Sequence, residues 1–124
     1  MSSNPLSSLS NESYCYLTTT GRVTGKPHEI EIWFGMDGDT IYLLSGGGDK
    51  SDWVKNMRVQ PQVKVRIAKR HFTGKARFEL SAEEESRVRR LLAAKYQGWR
   101  EGRPLSEWAR EALPVAIELT LDNG

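Results

Sequence analysis

Residues 29–34 read Glu-Ile-Glu-Ile-Trp-Phe. Strict alternation of this kind suits a strand, which sets Ile30, Ile32 and Phe34 on one face and Glu29, Glu31 and Trp33 on the other. A helix would scatter the three apolar side chains around its axis. The same period of two recurs along the chain. Residues 14–20, "YCYLTTT", are rich in aromatic and β-branched types. The turn signal "DGD" at 37–39 joins a strand over 29–35 to the apolar run "TIYLLS" at 40–45. Val63, Val65 and Ile67 alternate with Lys64, Arg66 and Ala68, and Ala76, Phe78 and Leu80 alternate next. "PVAIELTL" then points Val115, Ile117, Leu119 and Leu121 inward.

Three stretches break this pattern with helical spacing. "SDWVKNMRV" (51–59) follows Ser51 as N-cap and ends before Pro61. "SAEEESRVRRLLAAKYQ" (81–97) opens with Ser81 and Glu84 at capping-box spacing and gathers Val88, Leu91 and Leu92 on one side. "SEWAREAL" (106–113) is capped by Ser106 and stopped by Pro114. Six mostly antiparallel strands with a few helices predict a small β-barrel, since closure removes exposed sheet edges. Its interior is filled by side chains, so a ligand must lie outside it or between two barrels. The expectation is one domain over 14–122, preceded by a flexible, Ser-rich arm over 1–13.

The 124 residues suffice for one core. Eighteen basic against 16 acidic residues leave a net charge of +2, a small excess that argues against nucleic acid as partner. No apolar run is long enough to span a bilayer. The single cysteine, Cys15, allows no internal disulfide and fits a reducing cytoplasm. The two histidines, His28 and His71, belong to no cluster with metal-ligand spacing, and no Gly-x-Ser-x-Gly elbow is present. If the chain is a catalyst, a bound cofactor supplies the chemistry.

Three stretches are candidates for holding one. "GRVTGKP" (21–27) brings Arg22, Thr24 and Lys26 together in a turn, a set suited to phosphate; the plainer reading is a solvated hairpin loop. "SGGGDKSDWVKN" (45–56) runs from a strand through three glycines into a helix start, with Lys50 and Lys55 nearby; the plainer reading is a connector, with Trp53 in the core. "KYQGWREGRPLSEW" (95–108) sets Tyr96, Trp99 and Trp108 beside Arg100 and Arg103, able to cover a flat ring or to tuck into the core.

In their order, "LTTTGRVTGKPHEIEIWFGMDGDTIYLLS", "GGGDKSDWVKNMRVQPQVKVRI", "KYQGW" and "ALPVAIEL" resemble the deazaflavin (coenzyme F420)-dependent nitroreductase and quinone reductase family, within the pyridoxamine-phosphate-oxidase-like split-barrel flavoproteins. The similarity runs from Tyr14 to Leu121. It implies a six-stranded antiparallel split β-barrel of the FMN-binding type, a homodimer, and F420 (or, alternatively, FMN) in an outer groove. It also implies hydride transfer to a small-molecule quinone, nitro compound or activated double bond; a noncatalytic binder on the same fold is the competing class. Carried over by motif, the cofactor-binding residues are Arg22, Thr24, Lys26, Ser45, Gly46, Gly47 and Lys50, with Trp53 and Lys55 nearby. Tyr96 and Trp99 fall where late aromatics close over ring or substrate, Tyr96 as proton donor. The chain departs from the family pattern at Val23, at Pro27-His28 and in the shorter loop after Ser45, where Lys26, His28 and Lys50 are the compensating groups.

Overall fold

The structure is a computed structural model and describes residues 7–120. Seven strands form one antiparallel sheet: β1 (Cys15–Thr20), β2 (Pro27–Ile32), β3 (Gly35–Asp37), β4 (Thr40–Ser45), β5 (Gln62–Ile67), β6 (Arg70–Arg77) and β7 (Leu113–Thr120). Their order across the sheet is β2-β1-β5-β6-β7-β4-β3. The two edge strands are consecutive in the chain, so the sheet curls back on itself and is split between β2 and β3. Side chains from alternate positions fill the interior: Leu17, Phe34, Ile41, Leu43, Val65, Ile67, Val115 and Ile117 are almost fully buried.

The expected six strands become seven because the predicted 29–35 strand breaks at Trp33 and Phe34. There the backbone leaves the ladder, and its polar groups find side chains instead: the Phe34 N–H donates to Tyr96 Oη at 3.0 Å, and Lys95 Nζ donates to the Phe34 carbonyl at 2.9 Å. A buried backbone group needs some partner, and here helix side chains replace a strand. The strand expected around Ala76 to Leu80 also shifts. It begins at Arg70, after a tight turn in which Ala68 takes φ 54°, and ends at Arg77.

Three helices cover the curled sheet: α1 (Asp52–Val59), α2 (Ala82–Gln97) and α3 (Glu107–Glu111). Val88 and Leu92 of α2 pack on the outer face of β4 and β7, against Tyr42, Leu44 and Ala116. β4 is therefore buried on both faces, which is why its sequence is a continuous apolar run rather than an alternating one. The predicted capping box forms by half. Ser81 Oγ accepts the Glu84 N–H at 3.1 Å, but the Glu84 carboxylate turns away to Arg77 and Tyr42. Of the expected arm, residues 1–6 lie outside the described residues, while Ser7–Asn11 forms a 3-10 turn whose Leu9 is buried in the core. Leu121, expected to point inward, also lies outside them.

At Gly74 of β6 the neighbouring strand β7 packs close. A Cβ added there would come 2.7 Å from Ile117 Cγ2 and 3.2 Å from the Glu118 carbonyl oxygen. Gly74→Ala should therefore cost about 1–3 kcal/mol through overpacking. A urea midpoint equal to the parent's would show that Ile117 has room to yield.

Candidate functional site

β1 and β2 are joined by the turn 21–26, closed by Gly21 N–H to the Lys26 carbonyl at 2.8 Å and Gly25 N–H to the Gly21 carbonyl at 2.9 Å. This turn faces the start of α1 across an outer groove of about 690 Å³, lined by Thr19, Arg22, Thr24, His28, Ser51 and Trp53 among others. Arg22 is held rather than free. Its backbone N–H and Nη1 both donate to Asn56 Oδ1, at 3.2 and 2.8 Å, while Asn56 Nδ2 donates to Thr19 Oγ1 at 3.1 Å. Asn56 is 4% exposed, so a buried amide on α1 fixes the guanidinium at the groove edge. Arg22 Nη2 also meets Asp52 at 3.3 Å, but Asp52 is 85% exposed and competes weakly.

The groove suits an anion for a second reason. Ser51, the N-cap of α1, makes no side-chain bond to the helix; its Oγ lies instead 2.9 Å from Ser45 Oγ, which donates to the Gly48 carbonyl at 3.0 Å. The first-turn N–H groups of α1 are thus left for water or a ligand beside Arg22, where helix polarity favours negative charge. These residues fit the phosphate of a flavin-like cofactor. Trp53, half-buried against the core, adds an apolar wall.

A second hollow, of about 510 Å³, lies further along β2, lined by Glu31, Ile32, Trp33, Leu44, Gln97 and Trp108. Trp33 is 42% exposed. Its ring stacks on Tyr96, centroids 4.3 Å apart and planes 3° from parallel, and meets Trp108 edge-on at 5.5 Å.

The sequence-predicted residues divide between these places. Arg22, Thr24, His28 and Trp53 converge on the first groove. Ser45 is buried at the corner, supporting Ser51, and Gly46 passes close to Trp108. Gly47 packs against Ser51, since a Cβ there would fall 2.6 Å from Ser51 Oγ. Lys26, Lys50 and Lys55 are exposed and outside the groove lining. Tyr96, expected as a proton donor, has its hydroxyl hydrogen between the carbonyls of Ser13 (2.8 Å) and Phe34 (2.9 Å), while its oxygen accepts from the Phe34 N–H. Burial raises its pKa as well. Its hydroxyl is committed to the backbone. Trp99 donates to the Arg103 carbonyl at 2.7 Å within its own turn and lines neither hollow. Beside the predicted residues, Asn56 and Ser51 line the first groove, and Trp33 lines the second hollow together with Trp108, which the sequence had offered. A buried amide in the middle of α1 was the available signal for Asn56, because asparagine is a poor helix former without a tertiary partner. Cys15 is buried, and desolvation pushes its thiol up to about 12, so it is no nucleophile at neutral pH.

A curled antiparallel sheet split between β2 and β3, with helices packed outside it, has the split-barrel fold of the flavin-binding type. Within that class, the profile of the F420H(2)-dependent quinone reductase family matches residues 6–119, and the chain belongs to that family of F420-dependent reductases. Among solved structures, the fold is similar to an F420 reductase (17% identity, 98% of this chain and 97% of that one, TM-score 0.67). It is also similar to a conserved hypothetical protein from Mycobacterium tuberculosis (20% identity, 100% and 82% covered, TM-score 0.72) and to an FAD-binding protein from Mesorhizobium loti (17% identity, 91% and 85%, TM-score 0.63). No helix among the described residues is long and apolar enough to cross a membrane.

Proposed function

We propose that this chain reduces a quinone, nitro compound or activated double bond with F420H2, whose phosphate is held by Arg22, Thr24 and the start of α1. The observation that carries this reading is the pairing of a guanidinium locked by Asn56 with an uncapped helix start, on opposite walls of one groove. Bound there, reduced F420 supplies a hydride, which delivers two electrons to the acceptor. The chain's own contribution is binding and orientation. Arg22 and the α1 amides neutralise phosphate charge, and Trp53 and Ile30 give an apolar wall that keeps water from the reacting face. The acceptor's two-electron reduction also takes up one proton, which solvent supplies, and His28, whose ring lies against Gly21 in the groove wall, adds a polar group beside the phosphate. A homodimer is part of the same reading; a domain-swapped dimer of similar fold supports it.

FMN is the alternative cofactor, because the likeness to an FAD-binding protein extends over most of the chain. Parallel fluorescence titrations with F420 and FMN, followed by absorbance-monitored oxidation of F420H2 with added acceptor, test both. Micromolar or tighter F420 binding with acceptor-dependent oxidation is expected. Saturable FMN binding alone would change the cofactor, and binding of neither would sink the reading.

A further inference from the structure

Trp33 is the most exposed tryptophan and also one of the most firmly held. It sits where the sheet splits, and the next residue, Phe34, is gripped at both backbone groups by α2: Tyr96 takes the N–H, while Lys95 and Tyr96 donate to the carbonyl. The Lys95 ammonium also lies 3.8 Å from the Phe34 ring centroid. Tyr96 supports Trp33 twice, by fixing the neighbouring peptide and by stacking on one face of the indole. Trp108 blocks an edge. With 42% of Trp33 still exposed, this is a braced platform with an open side, in a hollow beside the cofactor groove.

The chemistry of the hollow restricts what it accepts. Its lining contains no lysine, arginine or histidine, and its one charged member is Glu31, held by the Tyr16 hydroxyl at 2.9 Å. A phosphate or carboxylate gains nothing there and meets a negative charge. Trp33 is five residues beyond His28, roughly 17 Å along an extended chain, so the hollow is well separated from the anion-binding end. We propose that Trp33 is the stacking platform for the electron acceptor, with Tyr96 and Lys95 as its positioning residues, and that Glu31 selects an uncharged or cationic planar ring over an anionic one. This rests on the reductase reading for the word acceptor, but the preference for neutral flat rings stands on the hollow alone.

The probes are menadione, a neutral naphthoquinone, and a naphthoquinone sulfonate. Quenching of tryptophan fluorescence by each is measured on the protein without cofactor, and KM for each in F420H2 oxidation. Trp33→Leu should abolish saturable quenching by menadione and raise its KM roughly tenfold, with the F420 dissociation constant unchanged within twofold. Trp33→Phe should recover part of both. Tyr96→Phe keeps the stacked ring and removes the hydroxyl that holds Phe34; it should raise KM with kcat nearly unchanged, whereas general destabilisation would move neither at a temperature below the unfolding transition. The parent should bind the sulfonate several-fold more weakly than menadione, and Glu31→Gln should bring the two closer. Equal menadione quenching and KM in the parent and Trp33→Leu overturns the platform, as does a parallel loss of F420 affinity, which would make Trp33 a cofactor contact. If the parent shows saturable quenching but neither binds F420 nor turns over, the reductase reading fails and the ring site stands.

Discussion

Arg77→Leu should lower stability by about 2–3 kcal/mol at neutral pH and flatten the acid limb of the stability curve. Arg77, at the end of β6, forks onto Glu84 of α2 with bonds of 2.9 and 2.7 Å, reaches Glu118 of β7 through Nε at 2.7 Å, and donates to the Glu79 carbonyl at 3.0 Å. Glu84 also accepts the Tyr42 hydroxyl from β4 at 2.8 Å. One guanidinium thus ties α2 to β6 and β7, and the carboxylate it holds ties α2 to β4. Removing one partner of a buried pair costs about 3–5 kcal/mol, but the Arg77 side chain is 34% exposed, and water screens part of that. Arg77, followed by Tyr42, holds the Glu84 carboxyl down at about 2, against an ordinary value of 4.5. A depressed carboxyl stabilises the fold above its unfolded pKa, and the contribution is lost as pH falls from about 4.5 towards 2. Without Arg77 the window narrows. Urea unfolding of parent and variant at pH 7 and pH 3 reads both effects, and parallel losses on acidification in the two proteins would remove Glu84 from the account. The double variant Arg77→Leu/Glu84→Leu should recover much of the loss, because the carboxylate left without Arg77 is then only that of Glu118, which is 55% exposed and hydrated.

Tyr42 gives the opposite limb. Burial first, then the bond to Glu84, pushes its hydroxyl up to about 12, so its share of stability is complete below pH 10 and lost as pH rises through that value. Neither limb was legible in the sequence, where Glu84 read as a capping-box residue. The capping spacing was correct for Ser81, yet a side chain three residues into a helix chooses its partner by what tertiary structure brings near. Side-chain alternation reported the barrel interior faithfully for β5 and β7, because a one-residue slip would have turned those faces inside out. It could not report the break at Trp33 and Phe34. Alternation records where side chains point, whereas the break concerns where backbone bonds go, and the partners come from residues some sixty positions later. The start of β6 was hidden for a related reason: the turn before it uses Ala68 in a left-handed conformation, without the Gly or Asn that usually signals one. The turn motif placed Arg22 and Thr24 together, and both line the groove, because a short loop leaves few places to go. Lysines 26, 50 and 55 looked equivalent in spacing, and only the fold separates them from the groove. The late aromatics were read as a pair, but Gly98 ends α2 with φ 67° and sends Trp99 into its own turn, while Tyr96 stays against the split.

Arg22→Ala should weaken F420 binding roughly ten- to a hundredfold, the loss expected for charge-assisted hydrogen bonds to a phosphate at a partly shielded site. Asn56→Leu is the more informative partner. It leaves the Arg22 charge in place but removes the acceptor that aims it, along with the amide that donates to Thr19 Oγ1. Affinity should fall by a smaller factor, roughly three- to tenfold, and stability by about 1–3 kcal/mol from the unsatisfied polar groups. If Asn56 acts on the cofactor through Arg22, the two losses cannot add: in an Arg22→Ala background, Asn56→Leu has no guanidinium left to misplace, and the double variant should bind F420 no more weakly than Arg22→Ala alone. Losses that multiply would instead give Asn56 its own contact with the ligand. The guanidinium's remaining donors also make a salt dependence expected in the parent and absent from Arg22→Ala, since screening weakens an exposed charge pair only while the charge is there. An affinity for F420 that ignores both the substitution and added salt would mean that the phosphate is held elsewhere, and the groove between the β1–β2 turn and α1 would lose its claim to be the clamp.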